Sequence, residues 1–180
     1  YFDSSRINLG LFQPDVNVLW DLAPHDISIL TYLVTELPLS INATGISHTR
    51  NNIENIAYMT VNYNSDFIAH FNCSWTSPVK VRQTLIGGDK KMIVYNDLEP
   101  SEKVRVYDTS YQHKTDDEKT TIMVDYRTGD VYIPKIQLSE ALAGVANDFI
   151  QSIIHKTKPL ANAHLGMQVV KILEASQESI

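Results

Sequence analysis

Three features of this 180-residue sequence predict an α+β fold: a predominantly antiparallel, open-faced sheet with helices packed on one face. The middle of the chain alternates apolar and polar residues in short runs separated by turn formers, the pattern of strands joined by hairpins. An apolar stretch with helical spacing, residues 15–33, precedes that region, and two amphipathic helical stretches follow it. Helices that flank a run of strands, rather than alternating with them, belong to the α+β class.

Taken in order, residues 1–11 read as a strand entering a loop, with Phe12, Gln13, Pro14 and Asp15 as the turn. The helix over 15–33 contains Pro24, which deletes a backbone hydrogen bond, so a bend or restart is expected there. Glu36-Leu37-Pro38 closes it, because the residue before a proline avoids helical geometry. Residues 39–48 are extended, with Gly45 as an interruption. Ala57, Met59, Val61 and Tyr63, then Phe67, Ala69, Phe71, Cys73 and Trp75, repeat at period two around the turn Asn64-Ser65-Asp66. His70, Asn72 and Ser74 fall on the opposite face, which predicts a partly polar outer surface. Residues 79–86 and 91–95 flank Gly87-Gly88-Asp89 as a second hairpin, and 103–108, 120–126 and 131–133 supply further strands. The polar run 110–119 is expected to be a loop. Ser139 suits an N-cap for a helix whose Leu142, Val145, Ala146, Phe149 and Ile153 share one face. Pro159 separates it from a last helix carrying Leu165, Val169, Ile172 and Leu173.

Composition narrows the function. A formal net charge of −6 and no Lys/Arg cluster argue against a nucleic-acid partner. No apolar run approaches bilayer length, and no signal peptide opens the sequence, so no membrane partner is expected. Cys73 is the single cysteine, so the natural reading is a reducing, cytoplasmic setting. The sequons at Asn42 and Asn72 are then chance. The chain starts at Tyr1 without a methionine and reads as a piece of a longer protein. It contains neither G-x-G-x-x-G nor G-x-x-x-x-G-K, so a dinucleotide would be held by sequence outside it.

The chemistry points to residues 15–33. Asp21 and His25 stand four apart, and such residues share a helix face, where a carboxylate can orient an imidazole and raise its basicity. The same spacing also fits a buried helix whose Asp caps something and whose His is a satisfied core residue. Lys80 and Arg82 share a strand face, a pattern usual for a solvated surface. His48, His113, His155 and His164 are scattered without metal-ligand spacing, and a metal at Asp21/His25 would need a further ligand.

Leu19-Trp20-Asp21-Leu22-Ala23-Pro24-His25-Asp26 resembles the L-x-D-x-x-x-H-x-x-D signature of the substrate domain in Gfo/Idh/MocA oxidoreductases. Three more stretches agree, the first two resembling the nucleotide-sugar 3-dehydrogenase branch of that family and the third the family's closing helix. They are Trp75-Thr76-Ser77-Pro78-Val79-Lys80-Val81-Arg82, then Gly87-Gly88 with Met92-Ile93-Val94-Tyr95-Asn96-Asp97, then Ala163, Gly166, Val169-Val170, Ile172, Glu174-Ala175 and Ser179 at the spacing of the closing helix. The sequence departs from the family in having Asp15-Val16-Asn17-Val18 where many members carry glycines. It also has Ser28 where the second acid is common, so Asp26 receives no catalytic role.

The resemblance implies that residues 1–180 form a C-terminal substrate-binding and oligomerisation domain whose N-terminal Rossmann domain, binding NAD or NADP, lies outside the sequence. Asp21 and His25 fall on the family's active-site Asp and His, while its catalytic Lys belongs to the nucleotide domain. Arg6 and Asn8 resemble an R-x-N stretch that faces the substrate, where a guanidinium suits a diphosphate or carboxylate. The implied activity is oxidation of a secondary alcohol on a sugar or nucleotide sugar, with a homo-oligomer formed through the open sheet face and the isolated fragment inactive. The alternative is a noncatalytic oligomerisation or ligand-binding module on the same scaffold. A hydrolase using the Asp/His pair lacks a recognisable Ser or Cys nucleophile.

Overall fold

The computed structural model describes residues 1–108, 110–112, 125–127, 129–137 and 139–180. Its elements are β1 (Phe2–Leu9), α1 (Val18–Leu33), β2 (Ser40–Ile46), β3 (Ile56–Asn62), β4 (Ile68–Ser74), β5 (Thr76–Gly87), β6 (Met92–Asn96), β7 (Val104–Tyr107), β8 (Ser110–Gln112), β9 (Asp125–Arg127), β10 (Val131–Tyr132), α2 (Ala141–His155) and α3 (Ala163–Ser179). One sheet of eight described strands runs in the order β10-β7-β6-β5-β1-β4-β3-β2, and β8 and β9 form a separate ribbon. The antiparallel expectation holds at every pairing of the large sheet but one. β1 lies parallel to β4, because the chain passes through α1, β2 and β3 before β4 returns beside it. No described helix is long and apolar enough to cross a membrane.

The period-two pattern puts Phe2, Met59, Val61, Ala69, Phe71 and Cys73 on one face, all nearly inaccessible. Val18, Leu19, Ala23, Ile27 and Leu30 of α1 and Val169, Ile172 and Leu173 of α3 close over them. Each large apolar side chain buried there contributes about 1.5–3 kcal/mol. The two helices cover β1 to β4, whereas β5, β6, β7 and β10 extend beyond the helical layer. That half-covered face is what positions the candidate site.

Several expectations need correction. Pro24 neither ends nor restarts α1, which runs unbroken from Val18 to Leu33 behind the Asn17 cap. The apolar stripe on both sides of Pro24 is buried, and that packing outweighs the lost backbone bond. Gly45 lies inside β2, in register with Ala57. The cap of α2 is Glu140 rather than Ser139, its carboxylate accepting from the N–H groups of Leu142 and Ala143. The predicted apolar face of α2 is present but not covered, with Leu142, Val145, Phe149 and Ile153 all more than half exposed. Ser74 is buried, its hydroxyl bonded to that of Thr76, whereas His70 and Asn72 do lie on the open face. The predicted loop at 110–119 begins as strand β8, paired with β9. Residues 113–119, with His113, and 120–124 of the predicted strand lie outside the described residues.

The β3–β4 turn is tied to the end of α1 by Glu36. Its carboxylate accepts from the Ser65 hydroxyl at 2.6 Å and from the backbone N–H groups of Asn64 and Ser65 at 2.9 and 3.2 Å. The Ser65 hydroxyl, and then these N–H groups, hold the Glu36 carboxyl below its ordinary value. A depressed carboxyl pKa contributes stability above the unfolded value and loses it as pH falls through the folded one. The protection of the Asn64 and Ser65 amides, taken relative to the intrinsic exchange rate at each pH, is therefore expected to fall as the pH is lowered past the carboxylate range. Glu36→Gln should remove that pH dependence.

Candidate functional site

The site is built where the start of α1 meets the ends of β1 and β4. Asn17 caps α1 by accepting from the N–H groups of Leu19 and Trp20, which fixes the first turn and the direction of Asp21. Trp75, 1% exposed, donates its indole N–H to Asp21 Oδ2 at 2.8 Å. Phe12 stacks on the same indole at 5.6 Å. Gly10 makes room here: a Cβ at that position would stand 2.9 Å from the Asn8 amide nitrogen and 3.2 Å from the Trp75 ring. Asn8 sits at the register shift between Ile7 and Leu9 of the β1–β5 pairing, and its side-chain amide and the Trp75 ring both lie against Gly10.

His25 lies exposed one helical turn beyond Asp21, which is partly buried. Neither side chain is sealed in the apolar interior. The two do not meet, however, because no hydrogen bond or ion pair joins them and the Asp21 carboxylate is turned to Trp75. Spacing placed them on one face, and the indole N–H is the competing partner that takes the carboxylate.

Arg6 is placed differently from the expected substrate contact. It is 7% exposed and grips Asp26, which is 3% exposed, through Nε–Oδ2 at 2.7 Å and Nη2–Oδ1 at 2.8 Å. This bidentate pair occupies the guanidinium edge that a diphosphate or carboxylate would take, so Arg6 fastens α1 to β1. An acid on the apolar face of α1 and an arginine on the inward face of β1 were the signal for it.

Beside Arg6 lies a second polar group that the motifs did not single out as a unit. Arg82 is the register partner of Arg6, and Tyr95 on β6 is that of Thr84. Asp97 Oδ1 accepts from Tyr95 OH at 2.9 Å and from Lys103 Nζ at 3.1 Å, while Arg82 Nη1 stands 3.5 Å from its Oδ2. Burial alone would raise the Asp97 carboxyl, but the bonds from Tyr95 and Lys103 bring it below its ordinary value. Tyr95 is pushed up to about 12, by burial first and then by its bond to Asp97, so it remains a donor at neutral pH. Of the other histidines, His48 bonds Asn55 and His155 bonds Gln151, while His164 is exposed at the start of α3.

A model of the GFO/IDH/MocA C-terminal domain matches residues 12–94, the span from the approach to α1 into β6. The solved structures extend the likeness over the whole chain at the level of fold. UDP-N-acetylglucosamine 3-dehydrogenase GnnA from Acidithiobacillus ferrooxidans superposes with a TM-score of 0.78 at 16% identity, over 100% of this chain and 53% of that one. An oxidoreductase of Magnetospirillum magnetotacticum MS-1 gives 0.74 at 21% identity, over 97% and 53%. Aldose-aldose oxidoreductase from Caulobacter crescentus gives 0.72 at 12% identity, over 99% and 52%. The chain thus spans about half the length of the solved proteins it matches. No curated protein matches it by sequence. The matched span includes α1 with Asp21 and His25, whereas Arg6 and Asn8 on β1 lie before it.

Proposed function

We propose that this chain is the C-terminal substrate-binding and oligomerisation domain of an NAD(P)-dependent dehydrogenase that oxidises a secondary alcohol of a sugar or nucleotide sugar. The observation that carries this reading is the open imidazole of His25 on the signature helix, one turn from an Asp21 carboxylate held by Trp75. Oxidation of an alcohol needs a base for the hydroxyl proton, and His25 is that base. Asp21 is near enough along the helix to orient the ring once a substrate draws it in, and catalytic hydrogen bonds often tighten only in the complex. Asn8 contributes a polar contact beside them. The Arg6–Asp26 pair keeps α1 at a fixed height above the sheet. The nicotinamide, when bound, accepts the hydride. The described residues form no glycine-rich phosphate cradle, so the rest of the dinucleotide would lie on a second domain.

Two surfaces support a larger assembly. The bare apolar face of α2 fits an N-terminal domain, since the matched structures are about twice as long as this chain. The open sheet face carries Ile46, Ile56, Ile7 and Val81 in one register row across five strands, with Ser74 of β4 between Ile56 and Ile7 and with exposed Tyr58 and Ile68 nearby. Apolar residues aligned in this way suit sheet-against-sheet pairing of two copies. A buried lone cysteine agrees with a cytoplasmic protein. The substrate class is taken from the GnnA and aldose-aldose oxidoreductase likenesses.

The test is an assay of the longer protein with NAD or NADP against UDP-N-acetylglucosamine and simple aldoses, following formation of the reduced nicotinamide. Turnover with either substrate group is expected. A longer protein that binds these sugars but reduces neither cofactor would favour the noncatalytic module.

A further inference from the structure

We propose that Arg82 is the residue that recognises an oxyanion on the substrate, either a sugar carboxylate or a diphosphate; the inference rests on the reading of this face as the substrate site. Three cations on this face approach its two carboxylates, and the three are not used alike. Arg6 spends two nitrogens on Asp26 at 2.7 and 2.8 Å. Lys103 bonds Asp97 at 3.1 Å, and the same oxygen is shared with Tyr95. Among the described residues Arg82 has only the 3.5 Å approach of Nη1 to Asp97, and its buried Nε has no hydrogen-bond partner.

A buried N–H without an acceptor is costly, and a guanidinium has five donors in a fork that matches a planar oxyanion. The Arg82 side chain is 34% exposed, so its outer edge is open to a ligand while its inner edge lacks a partner. Asp97 does not meet the deficit, because its Oδ2 approaches Nη1 and not Nε. The position also suits a substrate substituent. Arg82 is paired in register with Arg6, whose partner Asp26 is the residue after His25. One strand spacing, about 4.8 Å, therefore separates the arginine strand from the one that anchors the imidazole's helix. Lys80, two residues along on the same face, is exposed and makes no ion pair among the described residues, so it adds attraction without a fork.

The test titrates this chain separately with inorganic pyrophosphate and with glucuronate, following amide shifts. At least one probe is expected to bind, with pyrophosphate indicating a diphosphate and glucuronate a sugar carboxylate. Arg82→Gln should weaken that binding about tenfold or more, the loss of one or two charge-assisted hydrogen bonds. Arg82→Lys, which keeps the charge and loses the fork, should weaken it about fivefold, and Lys80→Gln no more than about twofold. Should Arg82→Gln fail to fold, Arg82→Lys decides the matter. A wild-type chain that binds neither probe, or arginine variants that bind as wild type does, would overturn the proposal. Binding that depends on Arg82 in a protein without turnover would instead leave this inference standing and remove the dehydrogenase reading.

Discussion

Replacing Asp26 by Ala is expected to destabilise the domain by about 3–5 kcal/mol, because it leaves the Arg6 guanidinium buried without its counter-charge. Natural domains are stable by only about 5–15 kcal/mol, so the variant should lose a large share of its folding free energy. The cause is specific. Arg6 and Asp26 are both under a tenth exposed and bound through two short contacts, so water cannot replace the lost partner. A double replacement, Arg6→Met with Asp26→Leu, removes both charges and should recover most of the loss. Urea denaturation of the three proteins checks this. Equal midpoints for Asp26→Ala and wild type would show that the pair carries no such weight.

The second large effect is on turnover. His25→Ala in the longer protein should lower kcat about 10²–10⁴-fold, the usual contribution of a positioned base. Stability should change little, since the imidazole is exposed and its side chain makes no hydrogen bond or ion pair among the described residues. The contrast with Asp26 is diagnostic, as two neighbouring residues on one helix should separate cleanly into activity and stability. Undiminished kcat in His25→Ala would refute the assignment of the base.

Much of this architecture can be read from residue patterns. The alternation from Ala57 to Trp75 gives β3 and β4 with the correct inward face, because burial on one side of a strand must recur every second residue. Turn chemistry at Asn64-Ser65-Asp66 and Gly87-Gly88-Asp89 gives both hairpins. The parallel pairing of β1 with β4 is not legible in this way, since alternation does not state which strand lies beside which. Spacing in α1 places Asp21 and His25 on a common face, but contact depends on competitors, and Trp75 lies 54 residues further on. The Arg6–Asp26 pair was accessible in principle, because a buried acid among Leu22, Ile27 and Leu30 demands a cation. For α2, amphipathicity shows that a face needs covering, and no pattern within the helix names the cover.

The central claim is that this chain forms one wall of a dehydrogenase site whose dinucleotide is held by another domain. It is tested most directly by titrating NADH, followed by its fluorescence, into the 180-residue chain and into the longer protein side by side. The account predicts saturable binding by the longer protein and none by the shorter chain. Saturable NADH binding by the 180-residue chain alone, or none by either, would contradict it.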